Sequence, residues 1–62
     1  MSRSPVEIGE RLIPRRGRAD LQPITVRQIH RADRCAQVVT DDGHRETIHF
    51  GDLRRKYRPE HR

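Results

Sequence analysis

The chain has one cysteine, two aromatic residues and no tryptophan among its 62 residues. A single cysteine, Cys35, excludes an internal disulfide framework. No apolar run approaches the roughly 20 residues of a membrane span, and the N-terminus lacks the apolar core of a signal peptide. We therefore expect a cytoplasmic protein that makes no membrane contact.

Apolar residues are also scarce, because hydrophobic side chains make up 31% of the chain and charged side chains 37%. A globular domain usually contains about 45–50% apolar residues when glycine is counted. A chain this short forms one domain at most, and it buries only about 60% of the surface that its unfolded form exposes. The alternative to a folded domain is a chain that is disordered over its whole length. We expect a thin core to which part of the chain does not contribute.

The positive charge lies towards the two ends of the chain. Residues 1–20 carry a net charge of +2, residues 21–53 carry −1 and residues 54–62 carry +4, which gives the total of +5. Basic ends on a near-neutral body are typical of proteins that hold an anionic partner, usually nucleic acid. Charged ends that only increase solubility are the alternative. All but one of the basic residues are arginine, which we attribute in part to a GC-rich genome.

The strongest local signal predicts a β-hairpin around residues 41–43. An Asp-Gly turn there separates two alternating runs, residues 35–40 and residues 45–50. A three-residue loop, with Gly43 in the left-handed conformation, brings the apolar side chains of both strands to one face. That face holds Ala36, Val38, Ile48 and Phe50, with Glu46 at its rim. The other face holds Cys35, Gln37, Val39, Arg45, Thr47 and His49.

The segment before the hairpin predicts two more strands. Residues 10–13 form a short strand that follows a turn or bulge at Gly9, and a polar loop begins at Arg15. Residues 24–30 form a second strand, in which Ile29 has the opposite parity to the apolar residues before it. A one-residue bulge near Arg27 and Gln28 returns Ile29 to the core and bends the strand. Residues 31–34 then form a four-residue turn.

The ends of the chain are expected to add little structure. Residues 1–5 have no periodicity and are predicted to be disordered. After the hairpin, Asp52 is the predicted N-cap of one helical turn that ends at Tyr57. Leu53 and Tyr57 are four residues apart, so both can cover the open end of a barrel. Residues 58–62 are predicted to be a basic tail.

This order of elements resembles the SH3-like small β-barrel, the group that includes Tudor-like and KOW-like modules. The resemblance covers roughly residues 8–55, and it rests on residues 9–13, 24–30, 36–39, 41–43, 45–50 and 52–53. It implies a mainly β fold, namely a single SH3-like barrel of four to five short strands with a short C-terminal helical turn, in a domain of residues 6–57. Neither the aromatic cage of Tudor modules nor the aromatic groove of signalling SH3 domains is present, so the resemblance transfers no functional residue.

The sequence favours neither catalysis nor a metal centre. Its two serines lie in the predicted disordered start, and Cys35 with His30 is the one Cys–His pair that a turn can bring together. We interpret Cys35 as a small strand residue that faces outward or lies at a barrel edge. His44 and His49 have the spacing of half a zinc site, but no cysteine pair supplies the other half. We expect no enzyme activity, no metal and no cofactor.

Eleven basic residues form the predicted nucleic-acid interface: Arg15, Arg16, Arg18, Arg27, Arg31, Arg34, Arg45, Arg54, Arg55, Lys56 and Arg58. Arginine binds phosphate through a planar, bidentate guanidinium. In a small barrel the first loop and the last helical turn can lie close together, which would merge two of these basic clusters. Only Tyr57 is expected to be available for base stacking, so the sequence predicts contact with the DNA or RNA backbone and weak sequence preference.

A protein-interaction adaptor is the alternative function. Small barrels often add a peptide strand to an open edge, and Val39 and an edge strand at residues 10–13 would serve that purpose. An acidic protein surface would explain the same arginines. Such a chain is plausible as an accessory subunit or as a regulator encoded by a phage or plasmid, and a thin core is compatible with a monomer or a homodimer.

Overall fold

The computed structural model describes residues 6–60 of the chain. The elements are β1 (Arg11–Pro14), β2 (Ile24–His30), β3 (Cys35–Thr40), β4 (Arg45–His49), α1 (Phe50–Lys56) and β5 (Tyr57–Pro59). The strands form one antiparallel sheet in the order β4-β3-β2-β1-β5, so the predicted mainly β class is confirmed. Within residues 6–60, no helix has the length and apolar character needed to cross a membrane. The predicted disorder of residues 1–5 lies outside the described residues.

The predicted hairpin is confirmed in its register and its loop. Val38 pairs with Glu46 and Ala36 pairs with Ile48, so the apolar residues of β3 and β4 share one face. The N–H of Gly43 donates to the carbonyl of Thr40 at 3.0 Å, which closes the loop at residues 41–43. Gly43 has φ 93°, in the left-handed region that favours glycine.

The conformation of Gly43 leads to a prediction with a matched control. Gly43→Ala should destabilise the protein by about 1–2 kcal/mol, because a Cβ is disfavoured at that φ. Open space surrounds both Gly43 and Gly51, so neither substitution causes a steric clash. Gly51 lies inside α1, and Gly51→Ala should instead stabilise the protein by about 0.5–1 kcal/mol. Thermal unfolding checks both; equal effects of the two substitutions would contradict the left-handed turn.

The predicted bulge in β2 is also confirmed. Val26 pairs with Val38 and Gln28 pairs with Gln37, which leaves Arg27 as the extra residue. The shift returns Ile29 to the core face, where it packs against the central cluster. A bulge of this kind generally bends the strand that contains it.

The turn before β1 follows the prediction for Gly9. The N–H of Glu10 donates to the carbonyl of Glu7 at 3.0 Å, and Gly9 within that turn has φ 90°. The N–H of Gly9 donates to the carbonyl of Val26 at 2.7 Å, so the turn is joined directly to β2. The strand itself begins one residue later than predicted, at Arg11.

The C-terminal segment differs most from the sequence prediction. Residues 58–62 were predicted to be a tail, whereas β5 extends the sheet and pairs Tyr57 with Pro14 and Arg58 with Ile13. A three-residue strand that ends in proline has no clear sequence signature, but proline is tolerated where no ladder hydrogen bond is lost, at a sheet edge. Because β5 covers β1, the prediction that residues 10–13 form an edge strand is wrong. Residues 61–62 lie outside the described part.

The helix begins earlier than predicted. Phe50 was expected to end β4 but is the first residue of α1, and the N-cap is His49 rather than Asp52. Asp52 lies in the first turn instead, where a carboxylate interacts favourably with the helix dipole. Leu53 and Tyr57, which were expected to cover the open end of a barrel, are both buried, with exposures of 1% and 6%. Leu53 thus anchors α1 in the core.

Among residues 6–60, the core is a single cluster of eight buried apolar residues: Val6, Leu12, Ile24, Val26, Ala36, Val38, Leu53 and Tyr57. One more of the described residues is buried outside this cluster. Cys35, which was expected to face outward or to lie at an edge, is only 7% exposed. It pairs with the last residues of both neighbouring strands, His30 and His49, and α1 begins immediately after β4.

Tyr57 provides an optical test of the core. Burial raises the pKa of the Tyr57 phenol above its usual value, and the charges of Glu46 and Asp20 raise it further. The folded state therefore favours the neutral phenol, and this stabilisation is present below about pH 10 and lost as pH rises through the raised pKa. Since Tyr57 is the one tyrosine and there is no tryptophan, the ultraviolet absorbance of tyrosinate reports it alone.

We expect this absorbance to titrate above the value of free tyrosine, and Tyr57→Phe to lessen the fall in melting temperature above about pH 10. Titration at or below the value of free tyrosine would show that the ring is not buried.

Candidate nucleic-acid interface

Arg15 joins the first loop to the C-terminal end of α1. Its backbone N–H donates to the carbonyl of Lys56 at 2.9 Å, and its side-chain Nε donates to the carbonyl of Arg54 at 2.9 Å. Carbonyls at the end of a helix lack partners within the helix, and Arg15 satisfies two of them. The loop and the last helical turn are therefore in contact, as the sequence predicted.

A second basic turn contacts the other end of α1. The N–H of Phe50, the first residue of the helix, donates to the carbonyl of Arg34 at 2.9 Å. Arg34 has φ 54°, a left-handed conformation that is uncommon for arginine and that ends the turn before β3. Seven helical residues extend over about 10 Å, so basic segments contact both ends of a short helix that is itself basic.

We call these side chains the helix-side band: Arg15, Arg16, Arg18, Arg31, Arg34, Arg54, Arg55 and Lys56. All are exposed except Lys56, which is half-buried. Three of them lie in the last turn of α1, where positive charge also interacts favourably with the helix dipole. The band is therefore compatible with helix stability even though it concentrates like charge.

Most of the band has no internal counterion. Arg55 bonds to Asp52, and this hydrogen bond is the main cause of the lowered pKa of the Asp52 carboxyl. Within residues 6–60, none of the other seven band residues has a carboxylate oxygen within 4.0 Å. Their charge is therefore available to an anion from solution.

Arg11 behaves differently and was not among the predicted interface residues. Its two Nη atoms bond to the Asp41 carboxylate at 2.9 and 3.0 Å, and its Nε bonds to Glu60 at 3.0 Å. The Asp41 hydrogen bond is the largest cause of the raised pKa of Arg11. Arg11 thus links β1 to the hairpin loop and to the residue after β5. Its role is structural, and no spacing in the sequence indicates it.

Three predicted interface residues lie elsewhere. Arg27 and Arg45 line a groove on the outer face of β2, β3 and β4. Arg58 is exposed on β5, opposite Ile13. None of these three is tied to α1 by the hydrogen bonds that place Arg15 and Arg34.

The two aromatic side chains contribute to the core instead of forming a stacking surface. Tyr57 is 6% exposed and belongs to the core cluster, so the prediction that it is available for base stacking is wrong. Phe50 is half-buried and packs against the same cluster. Neither ring is therefore available as a stacking surface.

Cys35 and His30, the one Cys–His pair considered, are adjacent in the sheet. His30 and His49 are the register partners of Cys35 on either side. No group of three His, Cys, Asp or Glu side chains within residues 6–60 is arranged to hold a metal ion. The buried thiol is accordingly best described as part of the packing at this end of the sheet.

Comparison of the chain with protein-family models, with curated proteins and with solved structures finds no match.

Proposed function

We propose that this protein is a small non-enzymatic module that binds the backbone of DNA or RNA through the helix-side band. The observation that carries the proposal is the anchoring of two basic segments to the ends of α1, through Arg15 at one end and Arg34 at the other. Anchored arginines lose less conformational freedom on binding than arginines on a free coil. The band then offers up to eight cations on the helix and on the two segments that are hydrogen-bonded to its ends.

The proposed fold is an SH3-like barrel. Support comes from the strand order β4-β3-β2-β1-β5, from the bulge at Arg27 and from the short helix between β4 and β5. Strand bending at a bulge is the usual means by which a small sheet curls into a barrel. In such a barrel the loop at Arg15 and the helix lie on one side of a compact body.

Backbone recognition with weak sequence preference fits the residues present. Base edges are usually read by an element that enters a groove of the duplex, and α1 has only seven residues and is anchored by buried Leu53. Stacking requires exposed aromatic rings, and both rings here pack in or against the core. The guanidinium groups of the helix-side band are the remaining groups for recognition, and their preferred ligand in nucleic acid is phosphate.

Salt titration tests the proposal. Fluorescence polarisation would measure the affinity for single-stranded and duplex DNA and RNA of one base composition, each with a 5′-hydroxyl end. If about four to six phosphates are contacted, log K should fall against log salt with a slope near −4 to −5 for duplex DNA, and about a fifth less steeply for single strands. Absence of binding to every probe at low salt would contradict the proposal.

A protein adaptor is the second candidate, and β4 is the observation that favours it. Within residues 6–60, β4 pairs only with β3, and four of its five residues are exposed. The outer edge of Arg45–His49 is therefore open to a peptide strand, and Arg45 would favour an acidic one. Binding of an acidic peptide, with protected amides confined to β4 and no affinity for nucleic acid, would support this function instead.

A further inference from the structure

A groove lies on the face of the sheet that carries Gln37, Val39 and Arg45. It has a volume of about 580 Å³ and is lined by Arg27, Gln28, Gln37, Val38, Val39 and Arg45. Sites for small ligands commonly have volumes of about 300–1,000 Å³ and contain a few convergent polar groups. Among residues 6–60, no carboxylate lines this groove. Its lining is therefore that of an anion site, with two cations and two neutral amides.

The two arginines line the groove from strands on either side of β3. Arg45 on β4 pairs with Val39 on β3, and Arg27 lies across β3 on β2. Two strand spacings separate β2 from β4, or about 10 Å, so long side chains that extend from both sides can reach one anion above β3. Arg27 is the extra residue of the bulge, and bulges commonly redirect a side chain towards a site.

Two carboxamide side chains line the groove beside the arginines. Gln28 and Gln37 are register partners, so their side chains are on the same face of the sheet. Each carboxamide offers donors for phosphate oxygens and an acceptor for a hydroxyl or amino group. Val39 is half-buried and provides an apolar wall beside them.

Arg11 is an arginine on the same face that has a structural role, and it can be compared with Arg27 and Arg45. Arg11 pairs with Thr25 at the other end of the row that contains Val39 and Arg45, and two carboxylates neutralise it. Within residues 6–60, neither Arg27 nor Arg45 has a carboxylate oxygen within 4.0 Å. Two uncompensated charges thus face one groove.

We propose that the groove binds a phosphate monoester, held between Arg27 and Arg45, with Gln28 and Gln37 bonded to the phosphate or to the group it carries. A monoester has a charge of about −1.5 to −2 at neutral pH, which matches two guanidinium groups, whereas each internal phosphodiester of nucleic acid has a single charge. The monoester can be a free mononucleotide or the 5′-phosphate end of a strand. Binding of a 5′-phosphate strand end rests on the proposed function, whereas binding of a free mononucleotide does not.

Nuclear magnetic resonance of the ¹⁵N-labelled full chain tests this site with adenosine 5′-monophosphate as the probe. We expect saturable shifts in the amides of Arg27, Gln28, Gln37 and Arg45, and none of them with adenosine. Arg27→Gln and Arg45→Gln should each weaken binding about tenfold. The matched control is Arg54→Gln/Lys56→Gln, which removes two charges outside the groove and should change the affinity less than about twofold.

Three results would overturn the site. These are no shifts at the groove amides, equal shifts with adenosine, or equal loss of affinity in the control double variant. Circular dichroism of each variant shows whether it is folded; if the arginine variants do not fold, Gln37→Ala, expected to weaken binding severalfold, replaces them.

The two sources of the monoester are separated with one oligonucleotide that has a 5′-phosphate or a 5′-hydroxyl end. A phosphate-dependent gain of about tenfold or more, lost in Arg27→Gln/Arg45→Gln, identifies the strand end. Mononucleotide binding without that gain identifies the free monoester. The 5′-hydroxyl oligonucleotide measures the helix-side band alone, so failure of the band and failure of the groove give different results.

Discussion

Arg54→Gln/Lys56→Gln should weaken binding to a 5′-hydroxyl oligonucleotide by about a hundredfold at ~50 mM salt. Each phosphate contact contributes about 0.7–0.9 to the salt slope, so the slope should become shallower by about 1.4–1.8. Glutamine retains good helix propensity, and therefore α1 should remain folded. Polarisation over a series of salt concentrations gives the affinity and the slope together.

The control for this prediction is Arg27→Gln/Arg45→Gln, which lowers the net charge by the same amount in the outer groove. With a 5′-hydroxyl probe, its slope should change by less than about one unit. If both double variants lose affinity equally, net charge alone governs binding and the helix-side band has no special role.

Leu53→Ala should remove much of the stability of this protein. Leu53 is 1% exposed and is the residue of α1 that is buried in the core. Replacing a buried leucine with alanine typically costs about 2–5 kcal/mol. A domain of 62 residues has a total stability of roughly 3–9 kcal/mol. Chemical denaturation should show a large decrease in the free energy of unfolding. Nucleic-acid affinity should also fall, because α1 positions the helix-side band.

Ile8→Ala provides the matched control, since it shortens an aliphatic side chain that is 66% exposed. Its effect should stay within about 0.5 kcal/mol. A small effect of Leu53→Ala, similar to that of Ile8→Ala, would mean that the helix is not anchored as described.

The elements that were predicted correctly are those whose conformation depends on residues close together in the sequence. The hairpin register follows from where Gly43 permits a left-handed turn, and the bulge at Arg27 follows from the changed parity of Ile29. Both depend on the alternation of side chains along a strand, which the sequence contains. The second and third strands were accordingly predicted with their observed bounds.

The parts that were missed depend on contacts between distant segments. β5 forms a strand because it pairs with β1. Its three residues are too few to show an alternation of apolar and polar side chains. The pairing of Arg11 with Asp41 and Glu60 joins residues 30 and 49 positions apart. Phe50 was assigned to β4 because it continues the alternation, yet the backbone turns into α1 there.

The interface was predicted in part. Contact between the first loop and the last helical turn followed from the resemblance to small barrels, and Arg15 makes that contact. The position of Arg34 at the other end of α1 was not predicted, because it depends on where the helix begins. The groove between Arg27 and Arg45 depends on the register of three strands, which no single hairpin determines.

Amide shift mapping with a 5′-hydroxyl single-stranded oligonucleotide at low salt tests the central proposal most directly. We expect the largest perturbations at residues 15–18, 31–34 and 54–56, with these signals returning to their free positions as salt is added. Perturbations confined to β4, or no perturbation at any salt concentration, would contradict a nucleic-acid interface built around α1.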